Sequence, residues 1–170
     1  PAFIPHVNVD TNAFYIQYAV TLGDVTSTPP LRYDHVVNRG KANDAPYYSN
    51  PDPAFGHDYS DRTYAGWSPR LAAFWKVTPD VVMFANWSKT WRAPVIDEQY
   101  EVQGLGSAPS TSRNLDPERI TAITVGNITN FANVIASGDS LQLRSTLFHN
   151  KIEDEIFKAT GLGCQQQNYM

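Results

Sequence analysis

The stretch "GWSPRLAAFWKVTPDVVMFANWSKTW", residues 66–91, decides the fold. It divides into two runs, 66–77 and 81–91, around the turn-forming connector Thr78-Pro79-Asp80. In the first run Trp67, Leu71, Ala73, Trp75 and Val77 fall on one parity, and Ser68, Arg70 and Lys76 on the other. Alternation with a period of two marks a strand with one apolar and one polar face. Each run is about ten residues long, enough for a tilted strand to cross a bilayer.

The same rhythm extends in both directions. "NAFYIQYAVTL" (12–22) sets Phe14, Ile16, Tyr18, Val20 and Leu22 against Gln17 and Thr21, and Gly23-Asp24 joins it to "VTSTPPLRYDHVV" (25–37) as a two-residue hairpin turn. Downstream, "RITAITVGNITNF" (119–131) leads through Ser137-Gly138-Asp139 into "DSLQLRSTLFHNKI" (139–152). There Leu141, Leu143 and Leu147 oppose Gln142, Arg144, Thr146 and Asn150. Short turns alternate with long connectors, at residues 38–65, 92–118 and from 153 onward. Short turns at one end and long loops at the other describe a serial up-and-down sheet. A soluble sandwich would bury the apolar parity and a transmembrane barrel would turn it to lipid, so the pattern alone fits both. Aromatics near the run ends (Tyr33, Trp67, Trp75, Trp87, Trp91) resemble the girdles of a membrane interface.

Composition narrows the function. The 170 residues carry a net charge of −4, which argues against a nucleic-acid partner. Their length suits one domain. The chain starts at Pro1 with no signal segment or apolar run long enough for a membrane helix, and reads as an interior piece of a longer protein. Cys164, the single cysteine, excludes an internal disulfide framework. It is expected to pair with a cysteine beyond Met170.

Candidate chemistry is sparse. Asp97, Glu98 and Glu101 offer carboxylates for glycosidic chemistry, but all three lie on one connector after a proline, where charges are commonly solvated. Asp52, Asp58 and Asp61 around His57 match no calcium-loop spacing. His6, His35 and His149 show no zinc pattern, and His35 and His149 fall towards strand ends. His57 differs, because its long connector also holds Tyr47, Tyr48, Phe55 and Tyr59. A loop histidine among aromatics is a candidate haem-iron ligand or stacking partner. No nucleophile elbow, phosphate-cradling loop or Cys/His dyad is present, so no enzyme is expected.

The boxes along the chain resemble TonB-dependent outer-membrane receptors. "GWSPRL" followed by a hairpin ending in Trp91-Arg92-Ala93-Pro94 is similar to their S-P-R-L and F-R-A-P boxes, with Trp in place of Phe. "NLDPERITAITVGN" (114–127), carrying Asn114, Leu115, Pro117 and Glu118, is similar to their N-P-x-L-x-P-E box. "LRSTLFHNKIEDEIF" (143–157) and "LRYDHV" (31–36) resemble further recurrent strands, so the resemblance spans nearly all of residues 12 to 158. The wording "RAPVIDEQYEVQ" and "DEIFKATGLGCQQQ" is most similar to haemophore receptors of the HasR type.

The resemblance implies an all-β, antiparallel up-and-down transmembrane barrel of about twenty-two strands. Residues 1–170 would supply about six of these, with the plug and the TonB box outside this sequence. It implies a bacterial outer-membrane location and TonB-driven uptake of haem from a haemophore or haem protein. Haem would be cargo rather than a resident cofactor. A ferric siderophore is the alternative cargo, and a soluble secreted β-sandwich binding module the alternative class. Haem receptors of this kind typically carry an iron-ligating histidine between the two boxes, whereas "VIDEQYEVQGLGSAPSTSR" (95–113) has none. That leaves His57, Tyr47, Tyr48, Tyr59 and Tyr100 as ligand candidates. Arg32, Arg70, Lys76, Lys89 and Arg144 are expected to line the lumen, and Arg92 with Asp97 to stabilise the start of the loop.

Overall fold

The computed structural model describes residues 6–41, 59–100, 114–158 and 166–169. In chain order these form β1 (His6–Gln17), β2 (Val20–Leu22), β3 (Val25–Ser27), β4 (Pro30–Lys41), β5 (Arg62–Lys76), β6 (Val81–Arg92), α1 (Ile96–Tyr100), β7 (Glu118–Ala132), β8 (Ser140–Glu153), β9 (Glu155–Lys158) and β10 (Gln166–Tyr169). The long strands lie side by side in the order β1-β4-β5-β6-β7-β8, every neighbouring pair antiparallel. This is an up-and-down meander of six long strands, the number expected from the sequence. β9 and β10 form a separate two-stranded ribbon.

The first hairpin differs from its expected runs. It begins earlier, at His6, and breaks near its turn into β1/β2 and β3/β4. Pairing on both sides of the break keeps one register, His6↔Lys41 to Gln17↔Pro30 and then Val20↔Ser27 to Leu22↔Val25. The break falls at Pro29-Pro30, whose nitrogens carry no hydrogen to donate to a ladder. Gly23, with φ of 60°, makes the turn as expected. The other two short turns are closed by their own side chains. Thr78 Oγ1 accepts from the Asp80 and Val81 amides, and the Asp139 carboxylate accepts from the amides of Val134, Ile135 and Ala136.

Paired residues in an antiparallel ladder share a face, so the register sorts every side chain. One face carries the rows Phe14↔Tyr33↔Trp67, Leu71↔Trp87↔Ile123 and Ala73↔Ala85↔Val125↔Leu147. The opposite face carries Arg70↔Ser88↔Ala122↔Asn150 and Lys76↔Val82↔Ile128↔Arg144. The apolar face is open: Trp67, Leu71, Trp75, Leu143 and Leu147 are all at least half exposed. Among the described residues the buried apolar side chains are only Tyr59, Ala72, Pro94, Tyr100 and Leu115. A sandwich would cover such a face with a second sheet. A bare apolar face on one layer, backed by a polar one, is the wall of a barrel whose outside meets lipid.

The aromatic positions agree. Trp67 and Trp75 share the outer face of β5, separated by roughly 26 Å of strand, which tilt reduces to roughly 20 Å across the bilayer. Tyr33 packs on Trp67 with ring centroids 4.8 Å apart. The inner face is less uniformly polar than the alternation suggested. Phe84 lies beside Phe74 and under the Arg144 guanidinium, 5.1 Å from its ring centroid. A Cβ on Gly126 would sit 2.5 Å from the Phe84 ring and 2.2 Å from the Ser145 carbonyl oxygen, so this row requires glycine.

Four of the five cations expected in the lumen are on that face. Lys89 is not: in the unbroken β6–β7 ladder it shares parity with Met83, Ala85 and Trp87, opposite Thr121. Its charge suggested an inward position, but it lies beyond the apolar rows, where an outward lysine reaches the polar boundary.

Candidate functional site at the long-connector rim

The chain leaves β6 at Trp91-Arg92-Ala93-Pro94 and enters the short α1. The Arg92 guanidinium is the hub of this exit. Its Nε donates to Glu118 Oε2 at 2.7 Å, and its two terminal nitrogens donate to both Glu98 oxygens at 2.8 and 3.0 Å. Paired N–H bonds to one carboxylate fix orientation as well as distance. Glu98 also accepts the Val95 amide at 2.9 Å, closing the first turn of the loop. Glu118 Oε1 accepts the Ile156 amide at 2.8 Å, which brings in β9. One arginine thus links the end of β6, α1, the start of β7 and the ribbon beyond β8.

A second set of bonds ties α1 to the opposite side. Asn38 of β4 is 1% exposed, and its Nδ2 donates to the Pro94 carbonyl at 2.9 Å and to Gln99 Oε1 at 3.0 Å. Tyr100, also 1% exposed, donates its hydroxyl towards the Asn38 carbonyl at 3.0 Å and the Ser60 carbonyl at 2.9 Å. Its ring stacks on Tyr59 with centroids 6.3 Å apart, and Val7 and Ile96 pack around the pair. A Cβ on Gly40 would meet the Tyr59 carbonyl oxygen at 2.9 Å and the Tyr100 ring at 3.0 Å, so glycine lets the tyrosines approach β4. Burial pushes the Tyr59 hydroxyl up to about 12.

The two sequence boxes meet here. Arg92 of the first pairs with Glu118 of the second. Pro94 is buried, and the buried Leu115 offers its carbonyl to the Tyr64 hydroxyl at 3.5 Å. Asn114 is exposed. Trp91 seats its indole against Gly66, where a Cβ would fall 2.4 Å from Nε1. The loop start is held by Arg92 with Glu98, not with Asp97 as expected; Asp97 is exposed on α1. Alternation cannot distinguish adjacent acids, whereas helical geometry turns only one of them towards the strand end.

Of the ligand candidates, Tyr59 and Tyr100 lie together in this packed foot, while Tyr47, Tyr48 and His57 fall outside the described residues, as do Glu101 and Cys164. Asp61 lies 3.5 Å from Arg39; Asp52 and Asp58 are outside the described residues. His35 pairs with Asn12 and Ala65 in mid-strand rather than at an end. No cluster of three metal-binding side chains occurs among the described residues. Asn38, Ser60 and Gln99 were not singled out from the sequence, because their roles depend on partners more than fifty residues away or on the far side of a connector.

The profile of TonB-dependent receptor-like β-barrels matches residues 1–169. The chain belongs to that family. Its strands accordingly span the outer membrane, with the long connectors on the extracellular side. Three relatives are named TonB-dependent heme receptor A. The one from Haemophilus ducreyi is 43% identical over 167 residues, covering 96% of this chain and 22% of its own length. Another, from Haemophilus influenzae strain Rd, is 41% identical over 165 residues with the same coverage. The chain therefore spans about a fifth of the length of the curated relatives it matches. A double mutant of the Serratia marcescens hemophore receptor HasR, solved in complex with its hemophore HasA and heme, superposes with a TM-score of 0.73 at 22% identity. That match covers 98% of this chain and 30% of the receptor, and supports the barrel fold.

Proposed function

We propose that the chain acts as a sector of an outer-membrane receptor that takes up haem, delivered by a haemophore or haem protein, with energy from a TonB system. The observation that carries this reading is the 43% identity to a TonB-dependent heme receptor along 96% of the chain. The geometry supports a receptor role. A rigid buttress made by Arg92, Asn38 and Tyr100 holds the foot of a long extracellular loop, and loops on rigid scaffolds are where such proteins bind. Glu98 and Glu118 are engaged by an ion pair and by backbone amides, a structural use that favours transport over catalysis.

Haem is cargo in this reading, not a resident cofactor. Contact with it falls to the extracellular connectors: Tyr47, Tyr48 and His57 on the β4–β5 connector act as stacking partners or iron ligands, while Tyr59 and Tyr100 hold their base. The plug and the TonB-contacting segment belong to other parts of the receptor.

Haem titration of the full-length receptor tests this. A Soret shift on addition, together with haem-dependent growth of cells expressing the receptor, is expected. His57→Ala is expected to weaken the shift. Growth on a ferric siderophore with no Soret response would replace haem as the cargo.

A further inference from the structure

Three cations converge on the outer face just above the apolar band, at the height of the polar boundary. The β6–β7–β8 register puts Lys89, Thr121 and Lys151 in one row. The row below is Trp87, Ile123 and His149, where the apolar surface begins; the row above is Trp91, Arg119 and Glu153. Lys89 and Lys151 thus flank the Thr121 hydroxyl, about 10 Å apart across β7, with Arg119 one step nearer the extracellular end. Lys89 and Arg119 also border a cavity of about 160 Å³ between β5 and β6, beyond the last β5–β6 pair, Arg70↔Ser88.

Two carboxylates answer part of this charge. Lys151 pairs with Glu153 at 2.7 Å, and Arg119 with Asp154 at 2.8 Å. Glu153, bonded to Lys151, also lies within electrostatic reach of Lys89 and Arg119. Lys89 itself has no ion pair within 4 Å among the described residues, so the group keeps an excess positive charge.

We propose that Lys89, Lys151, Arg119 and the Thr121 hydroxyl bind the phosphate of a lipid headgroup in the outer leaflet, whose acyl chains lie on the rows below. The height of the cluster selects a lipid: the charges sit at the boundary between the apolar rows and the extracellular connectors, where a bilayer places its headgroups. A hydroxyl between two ammonium groups provides the donors a phosphate oxygen takes up.

The inference rests on the outer-membrane barrel reading, and its test keeps the two apart. Full-length receptor is purified in neutral detergent and titrated with diphosphorylated lipid A or its dephosphorylated form, and bound lipid is counted by native mass spectrometry. Retention of the phosphorylated form is expected to weaken about fivefold for each lysine removed in Lys89→Ala and Lys151→Ala. Lys89→Arg is expected to restore retention, with haem binding unchanged throughout. Equal retention of the dephosphorylated lipid, unchanged retention in the double variant, or displacement by millimolar inorganic phosphate would each overturn the proposal. Failure of the wild-type receptor to integrate into membranes would instead overturn the barrel reading.

Discussion

The two ends of this sheet are held together in different ways. At the short-turn end each hairpin closes itself. Thr78 binds amides two and three residues on, and Asp139 takes three amides from the five residues before it. At the long-connector end the local bonds of Glu98 to Arg92 and Val95 are joined by bonds of long range. Arg92 reaches Glu118 across 26 positions, Asn38 reaches Pro94 across 56, and Tyr100 reaches Asn38 across 62. The periplasmic end needs only to turn the chain round, and local chemistry suffices. The extracellular end anchors the start of a long loop, and its bonds come from several strands.

The difference can be broken from either side. The largest effect is expected for Arg92→Ala, which leaves Glu98 and Glu118, both mostly buried, without their cation. Discounting for the partial exposure of Arg92, the loss is about 2–3 kcal/mol locally. Limited proteolysis of full-length receptor should then cleave between residues 95 and 113 far faster, with haem uptake reduced and the barrel intact. Uptake and cleavage both matching wild type would refute the buttress role. Next in size is Tyr100→Phe, which leaves the Asn38 and Ser60 carbonyls short of a donor. It should cost about 1–2 kcal/mol, seen as faster amide exchange at Asn38 and Ser60 without loss of membrane insertion.

The smallest effect lies at the other end. The amides of Ala136, Ile135 and Val134 hold the Asp139 carboxyl below its usual range. A depressed carboxylate contributes its stability above its unfolded value, near pH ~4, and loses it as pH falls through the folded value. The difference between wild type and Asp139→Asn in urea unfolding should therefore be constant above about pH 5 and shrink below about pH 4. A difference that grows with acidity would contradict this assignment.

The same contrast explains what the sequence could reveal. The Gly23-Asp24 and Thr78-Pro79-Asp80 turns, the strand order and the division into an apolar and a polar face are legible because each is written in neighbouring residues, whereas the direction of the apolar face is not. The break at Pro29-Pro30 is written there too, but the alternation of Phe14 to Leu22 continues across it and hides it. The charge of Lys89 points to the lumen, whereas its parity with Trp87 puts it outside. The partnership of Arg92 with Glu98 rather than Asp97 could not be read from strand alternation, since a short helix intervenes. Asn38 carried no signal, and its importance comes from the loop that folds back onto it.

The central claim is that the parity of Met83, Ala85 and Trp87 faces lipid while that of Val82, Phe84 and Asn86 faces the lumen. Single cysteines at positions 82–89 in full-length receptor, on a background with Cys164 and every other native cysteine replaced by serine, can be spin-labelled and read in lipid bilayers. Collisional relaxation by oxygen should peak at positions 83, 85 and 87. Relaxation by a water-soluble nickel complex should peak at the even positions and rise again at 89. A profile without a period of two, or one with water access at 83, 85 and 87, would contradict the account.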